Sequence, residues 1–254
     1  MNYTAIFQGG GLKTLAYIGA IIALEEEGFK CIRAAGTSAG AIFAALIMAG
    51  YSGIELKQIV KDINFNELIK KEPNGLKGIL QEKGMYSLYY IEKEIANLLS
   101  KKNAYNFKLY KNNNDYMLKM IGSNISINRP LIFPNDLLYY NINPDFFPIS
   151  KAVIMSCTYP GFFKPLKLNN MYIADGGIYN NFPYNAFKYK QDDVVIGLVL
   201  SNKEMKNIPN NIKVIKLNTL KTKMLNFKID KKDQMLLIQK AYIDTKKQLR
   251  ELFG

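Results

Sequence analysis

The residue with the clearest chemical potential in this sequence is Ser38, at the centre of the pentapeptide Gly36–Gly40. The pattern G-x-S-x-G is typical of a serine nucleophile on a sharp turn between a strand and a helix. Glycine leaves room for such a turn, and the helix that follows directs backbone N–H groups at a developing negative charge. The alternative is an ordinary glycine-lined turn that packs a helix on a strand.

A glycine-rich segment near the start of the chain is the second candidate. A phosphate-binding loop needs glycine directly before Lys13, and a dinucleotide loop needs glycine where Thr14 stands, so neither pattern fits. Three consecutive glycines do leave backbone N–H groups open to a ligand oxygen. The favoured interpretation is an oxyanion hole formed by Gly9, Gly10, Gly11 and Ala39, with Lys13 holding the loop or adding positive potential. A plain strand-to-helix turn is the alternative.

The base for a serine nucleophile must be sought among residues other than histidine, because the sequence contains none. A Ser-His-Asp triad and histidine-based zinc sites are therefore excluded. Asp175 is the best candidate, since it ends a predicted strand and is followed by Gly176 and Gly177, which would expose its carboxylate. Asp-Gly-Gly alone is most often a turn. Cys157 is expected to pack rather than react.

The elements that must position these residues alternate between strand and helix, the pattern of a parallel α/β sheet. A capping box at Ser52 and Glu55 marks the start of one helix. Residues 75–84 and the proline-rich residues 128–148 are predicted to be loop or irregular. Apolar periodicity predicts strands at 3–8, 30–35, 117–127, 166–168, 171–174, 194–200 and 214–217, and helices at 15–27, 39–48, 53–62, 87–99, 150–157 and 231–252.

The net charge of this 254-residue chain indicates which classes of binding partner to expect. Its formal net charge of +13 favours an anionic partner, a membrane surface or nucleic acid, although a lysine-rich solvated surface is the alternative. Nucleic acid is not expected, because no recognition-helix motif, RNP-type strand or zinc-ligand pattern is found. The two cysteines do not make a disulfide framework, and the sequence shows no signal-peptide pattern or membrane-spanning run. These features predict a cytoplasmic protein, with peripheral attachment to a membrane as the second option. The sequence does not indicate an oligomeric state.

Four segments in this order resemble the patatin-like phospholipase family. They are Gly9–Lys13, Gly36–Gly40, Ser156–Pro165 and Asp175–Gly177, and the resemblance covers residues 3–190. It implies a three-layer α/β/α sandwich with a mainly parallel central sheet. It also implies hydrolysis of lipid acyl esters by a Ser-Asp dyad through an acyl-enzyme, without a metal or organic cofactor.

The resemblance also implies a role for each matching residue. Ser38 would be the nucleophile, Asp175 the base, the glycine loop the oxyanion hole, and Lys13 would hold the family's basic position. Thr14 stands where the family usually has glycine. The substrate would be a phospholipid or another lipid ester, met at an anionic membrane. The alternative is a non-catalytic or conditionally activated lipid-binding module on the same fold.

Two further expectations concern organisation. We expect residues 1–254 to form a single domain, in which residues 191–254 complete the sheet and add a C-terminal amphipathic helix. We also expect the aromatic and apolar side chains between Tyr86 and Phe147 to line or cover an acyl pocket, with ordinary core packing as the alternative. The aromatic residues concerned are Tyr89, Tyr90, Tyr139, Tyr140, Phe146 and Phe147.

Overall fold

The computed structural model describes residues 1–63, 70–71, 86–200, 207–219 and 229–254, so the loop predicted over 75–84 lies outside the described residues. The strands in these ranges follow in chain order. They are β1 Asn2–Phe7, β2 Lys30–Thr37, β3 Lys70–Lys71, β4 Tyr86–Ser87, β5 Lys111–Asn112, β6 Asp115–Tyr116, β7 Leu118–Asn124, β8 Arg129–Phe133, β9 Leu166–Leu168, β10 Met171–Asp175, β11 Val195–Val199 and β12 Ile212–Lys216.

The predicted helices are confirmed, with small shifts of their ends. The α-helices are α1 Ala16–Glu26, α2 Ala39–Met48, α3 Gly53–Asp62, α4 Tyr89–Lys101, α5 Ile149–Ser156 and α6 Lys231–Phe253. The glycine loop enters α1 through a 3-10 turn, Gly11–Leu15. The capping box at the start of α3 is formed, because Ser52 and Glu55 each accept the other's backbone N–H.

The central sheet has the strand order β12-β11-β1-β2-β7-β10-β9, with β8 paired to β7. The pairs from β12 to β7 are parallel, whereas β8, β9 and β10 run antiparallel to their partners. Helices flank this mostly parallel sheet, which confirms the predicted α/β class.

Alternating residues of the buried strands face opposite sides of the sheet, as the period of two requires. In β1, Tyr3, Ala5 and Phe7 pack into the larger core with α1, α2, α5 and α6. Ile6 faces a smaller core on the other side, which contains Phe182 and the adjacent 3-10 turn. Among the helices that the structure describes, none is both long and apolar enough to cross a bilayer.

One prediction from the sequence was wrong in part. Residues 128–148 are not wholly irregular, because Arg129–Phe133 forms β8. Within the described residues β8 pairs with β7 alone. An unpaired edge tolerates Pro130, which has no N–H to donate, and this explains how a proline-containing segment becomes a strand. The strand predicted over 117–127 is shorter, at Leu118–Asn124.

Candidate active site

The topology brings the ends of β2 and β10 together. Since β8 occupies one side of β7, β2 and β10 must share its other side. Thr37, the last residue of β2, lies opposite Ile121, and Asp175, the last residue of β10, lies opposite the next residue, Gly122. The two strands run towards each other, so Ser38 is placed beside Asp175.

Ser38 occupies a strained turn between β2 and α2, with φ 54° and ψ −134°. Such a conformation is costly for a residue with a side chain and persists only where its surroundings enforce it. Here the neighbouring backbone packs closely against both glycines of the turn. A Cβ on Gly36 would lie 2.3 Å from the Gly40 carbonyl oxygen, and one on Gly40 would lie 2.7 Å from the backbone oxygens of Phe7 and Gln8. The G-x-S-x-G spacing is therefore required by backbone contacts at this turn.

The Ser38 hydroxyl donates a hydrogen bond to Asp175 Oδ2 at 2.6 Å. The carboxylate is buried, and its Oδ1 accepts the Gly177 N–H at 2.7 Å. Burial raises the pKa of Asp175 to about 6, against the opposing effect of the hydrogen bonds from Ser38 and Gly177. A carboxyl group with this pKa is a stronger base than an exposed one, yet is still mostly ionised at neutral pH.

Gly176 explains why the residue after the carboxylate is small. A Cβ at this position would lie 2.1 Å from the carbonyl oxygen of Ile121. The backbone after Asp175 therefore rests directly on β7, the strand that also aligns β2. The two glycines after Asp175 thus have distinct functions: Gly176 permits this contact, and Gly177 supplies an N–H to the carboxylate.

Ser156 contacts the site although sequence reasoning gave it no function. Its hydroxyl, fully buried at the end of α5, accepts the Ser38 N–H at 2.9 Å and donates to the carbonyl of Ile121. The available signal was its place at the head of the segment Ser156–Pro165, which carries part of the family resemblance. That signal marks the segment but does not identify the partner of the hydroxyl.

The glycine loop and the start of α2 present open backbone N–H groups beside Ser38. Among the described residues, the N–H groups of Gly10, Gly11 and Ala39 have no hydrogen-bond acceptor, and all three residues line a cavity together with Ser38. Gly9 differs, because its N–H donates to the carbonyl of Asn181 at 2.9 Å. The inclusion of Gly9 as a donor was therefore wrong, since its N–H is already engaged.

Thr14 and Lys13 occupy different environments. The Thr14 side chain is buried, and its hydroxyl donates to the Gly11 carbonyl at 2.7 Å. This hydrogen bond stabilises the glycine loop. The half-buried Lys13 does not line the cavity, and its side chain has no hydrogen-bond or ion-pair partner among the described residues. The structure thus gives Thr14 a clear contact, and the function of Lys13 stays a prediction.

A cavity of about 430 Å³ extends from the Ser38–Asp175 pair into the helical layer. Its wall is mainly aliphatic and includes Leu12, Leu15, Ile18, Ile42, Phe43, Leu46, Leu56, Ile59, Val60, Ile63, Leu88, Ile91, Ile95 and Leu98. The segment between Tyr86 and Phe147, which was predicted to line or cover an acyl pocket, contributes to this wall through the aliphatic face of α4. Its six aromatic residues that suggested the pocket do not line the cavity, and Tyr89, Tyr139 and Phe146 are largely exposed.

Cys157 also lines the cavity, next to Asp175. Burial, and then the nearby Asp175 charge, raises the pKa of its thiol well above the usual range. The thiol is therefore held in its protonated, poorly nucleophilic form. This agrees with the expectation that Cys157 packs rather than reacts.

Comparison with known proteins relates most of the sequence to one family. A model of the patatin-like phospholipase family matches residues 5–188. The uncharacterized protein YqhO of Bacillus subtilis is 35% identical over 224 residues, which cover 84% of this chain and 76% of that protein. A probable lipid hydrolase of Invertebrate iridescent virus 6 is 25% identical over 233 residues, which cover 85% of this chain and 78% of the viral protein.

Two solved structures share the fold. VipD from Legionella pneumophila aligns with 98% of this chain and 67% of its own, with a TM-score of 0.55 and 15% identity. The type III effector ExoU of Pseudomonas aeruginosa aligns with 98% of this chain and 53% of its own, with a TM-score of 0.56 and 16% identity. This chain therefore spans about half the length of ExoU, and at these identities the likeness concerns the fold alone.

Proposed function

This chain belongs to the patatin-like phospholipase family, and on that premise we propose that it is a lipid acyl hydrolase with a Ser38–Asp175 dyad. The observation that carries the proposal is the 2.6 Å hydrogen bond from Ser38 to a buried carboxylate at one end of an aliphatic cavity. The reaction would be cleavage of carboxylic esters of membrane lipids, of the phospholipase A or lysophospholipase type. The relative named as a probable lipid hydrolase supports the same substrate class.

In the proposed acylation step, Ser38 Oγ attacks the ester carbonyl carbon while Asp175 accepts the hydroxyl proton. The carbonyl oxygen becomes an oxyanion and is stabilised by the N–H groups of Gly10, Gly11 and Ala39, which have no acceptor among the described residues. Collapse of this intermediate breaks the ester C–O bond. The departing alcohol takes the proton from Asp175 and leaves the acyl group on Ser38.

In the proposed deacylation step, water attacks the acyl-enzyme and gives its proton to Asp175. The same N–H groups stabilise the second oxyanion, and Ser38 takes the proton as the fatty acid leaves. One carboxylate thus serves as base and acid in turn. Its pKa of about 6 suits this exchange, because proton transfer is most efficient when the pKa of the catalytic group lies near the working pH.

The cavity would hold the acyl chain during both steps. Its wall follows the chain from Ser38 along α2 to Leu46, a distance of eight residue steps that span about 12 Å at 1.5 Å per residue. An apolar channel of this kind favours a hydrocarbon chain over water, because burial of each methylene contributes about 0.8 kcal/mol. The wall therefore supports a fatty acyl ester as substrate rather than a short polar ester.

The domain division and the membrane contact are parts of the same proposal. β11, β12 and α6 lie outside the matched residues 5–188, yet both strands belong to the central sheet and α6 packs in the same core as α1. This supports one domain over residues 1–254. The net charge of +13 supports peripheral contact with anionic lipid.

The experiment for this function is fatty-acid release from mixed phosphatidylglycerol and phosphatidylcholine vesicles in the presence of a chelator. Wild type should release fatty acid and Ser38→Ala should not, whereas Ser150→Ala on α5 serves as a serine-to-alanine control and should retain activity. Release by Ser38→Ala would remove Ser38 from the mechanism. Vesicle binding without release by the folded wild type would favour the lipid-binding module.

A further inference from the structure

Exposed apolar side chains lie at the carboxyl edge of the sheet, the same edge as the Ser38–Asp175 pair. We call six of them the rim, and each is between 36% and 45% exposed: Ile125, Ile127, Tyr159, Tyr172, Ile178 and Tyr179. They belong to the turn after β7, the segment after α5, strand β10 and the turn after Asp175. Because β2 and β7 are parallel, the turn after β7 lies at the same edge as Ser38.

Contacts between these segments make the rim continuous. The Tyr179 hydroxyl lies 3.4 Å from Asn128 Oδ1, which joins the turn after Asp175 to the turn after β7. The Ile125 N–H donates to the Tyr172 carbonyl at 3.0 Å, which joins that turn to β10. The Asp175 N–H donates to the Thr158 carbonyl at 2.9 Å, which joins the segment after α5 to β10. Tyr159, in that segment, lines the cavity that also contains Ser38, so the rim reaches the cavity at this residue.

Charge is distributed unevenly between the two edges of the sheet. Five segments at the carboxyl edge, 8–14, 37–40, 125–129, 157–167 and 176–181, contain Lys13, Arg129, Lys164 and Lys167, and the carboxylate between them is the buried Asp175. The amino-edge turns carry both signs. Glu26 and Glu27 pair with Lys246, Asp115 pairs with Lys119, Asp193 pairs with Arg33, and Lys30 is exposed at the start of β2. An approaching anionic surface would thus be attracted more strongly to the segments beside Ser38 than to the opposite edge, where carboxylates and cations are mixed.

We propose that the rim is the surface through which this protein docks on an anionic lipid bilayer. Tyrosine and isoleucine side chains suit the boundary between headgroups and acyl chains, and lysine and arginine are attracted to anionic headgroups. Docking through the rim places the cavity entrance against the bilayer, so that an acyl chain passes from lipid to the aliphatic wall without crossing water. The inference rests on the proposed function, because it assigns the lipid substrate its route of entry.

The test measures vesicle binding by sedimentation in the Ser38→Ala background, so that hydrolysis does not alter the vesicles. Ile178→Ser with Tyr179→Ser removes two apolar rim side chains. The matched control is Leu109→Ser with Phe146→Ser. The Leu109 and Phe146 side chains are 56% and 62% exposed and lie on turns near the amino edge. Binding to phosphatidylglycerol-containing vesicles should weaken at least tenfold for the rim pair and less than twofold for the control pair.

A second pair of variants tests the charge asymmetry at constant net charge. Arg129→Gln with Lys167→Gln removes two exposed cations at the carboxyl edge, and Lys30→Gln with Lys108→Gln removes two exposed cations near the amino edge. Loss of the first pair should weaken binding roughly 25-fold, because each cation near an anionic surface strengthens binding about fivefold. Loss of the second pair should have a much smaller effect.

Equal losses for both charge pairs would show attraction by net charge alone and would overturn the assignment of the rim. Unchanged binding by a folded rim variant would overturn it as well, and selective capture of a protein partner by the same surface would replace the bilayer as occupant. Hydrolysis of a soluble ester is measured separately with the wild-type enzyme, which retains Ser38. If wild type does not hydrolyse the ester but vesicle binding still depends on the rim, the proposed function is rejected and the docking surface is retained.

Discussion

The Ser156 hydroxyl accepts the backbone N–H of Ser38 at 2.9 Å and donates to the carbonyl of Ile121. Ile121 lies opposite Thr37, and the next residue of β7 lies opposite Asp175. One buried hydroxyl therefore connects the strained turn at Ser38 to the strand that also aligns Asp175. Because the Ser38 N–H is engaged in this way, the proposed mechanism assigns oxyanion binding to the N–H groups of Gly10, Gly11 and Ala39.

Replacement of Ser156 by alanine should lower kcat with little change in KM. The Ser38 N–H would lose its buried partner, and small misplacements of reacting groups can reduce rates about a hundredfold. We expect a tenfold to hundredfold fall in kcat on a soluble ester. Ser150→Ala on the same helix is the control and should leave kcat within about twofold of wild type, and an equal fall in both variants would contradict a positioning function.

The pH dependence of kcat/KM should report the ionisation of Asp175. The base is active when deprotonated, and burial raises its pKa to about 6. kcat/KM should therefore level off above about pH 7 and fall about tenfold for each unit below pH 6. The measurement is a pH profile on a soluble ester, with circular dichroism at each pH to show that the fold persists. A midpoint near 4 would indicate an exposed carboxylate and contradict the assigned environment.

Asp175→Asn should abolish turnover and stabilise the protein at high pH. The folded-state pKa of about 6 exceeds the unfolded value near 3.9, so the folded state holds the proton more tightly and wild type loses stability as pH rises from about 4 to 6. A pKa difference of about two units corresponds to about 3 kcal/mol in the free energy of unfolding. In Asp175→Asn this gain is offset in part by one weakened hydrogen bond.

Urea denaturation provides the measurement for this stability change. The free energy of unfolding of Asp175→Asn should exceed that of wild type by about 1 to 2 kcal/mol near pH 8, and the gain should shrink or vanish near pH 4.5. Comparison of the two proteins at the same pH removes the contribution of all other titrating groups. An equal difference at both pH values would contradict a buried, ionised Asp175.

Leu46→Trp should shift the acyl preference towards shorter chains. Leu46 is buried two helical turns from Ser38 on the cavity wall, and a larger side chain would fill the distal part of the channel. The measurement compares kcat/KM over a series of esters that differ in acyl length. Leu46→Met conserves volume and should keep the wild-type order. An unchanged preference in a folded Leu46→Trp would show that the acyl chain does not occupy this cavity.

Local features of the sequence predicted the order of elements and the pairing of Ser38 with Asp175. The G-x-S-x-G spacing marks a turn that only glycines permit at Gly36 and Gly40, and the lack of histidine directs attention to a carboxylate. These signals act over a few residues, or through composition. They are therefore readable without knowledge of the tertiary structure.

The features that were missed depend on contacts between distant parts of the chain. The Gly9 N–H is engaged by Asn181, and the Ser156 hydroxyl meets Ser38 only after α5 packs beside α2. The cavity wall is assembled from four helices, so aromatic content between Tyr86 and Phe147 was a poor guide to its lining. No local pattern reports which N–H is already engaged or which helix faces a cavity.

The central claim is that Ser38 carries the acyl group and that Asp175 activates it. Mass spectrometry of the protein after reaction with a fluorophosphonate ester probe tests this most directly, because the probe forms a stable adduct with an activated serine. The adduct should map to Ser38 in wild type, form far more slowly in Asp175→Asn, and be missing from Ser38→Ala. An adduct on another residue, or equal labelling rates in wild type and Asp175→Asn, would contradict the account.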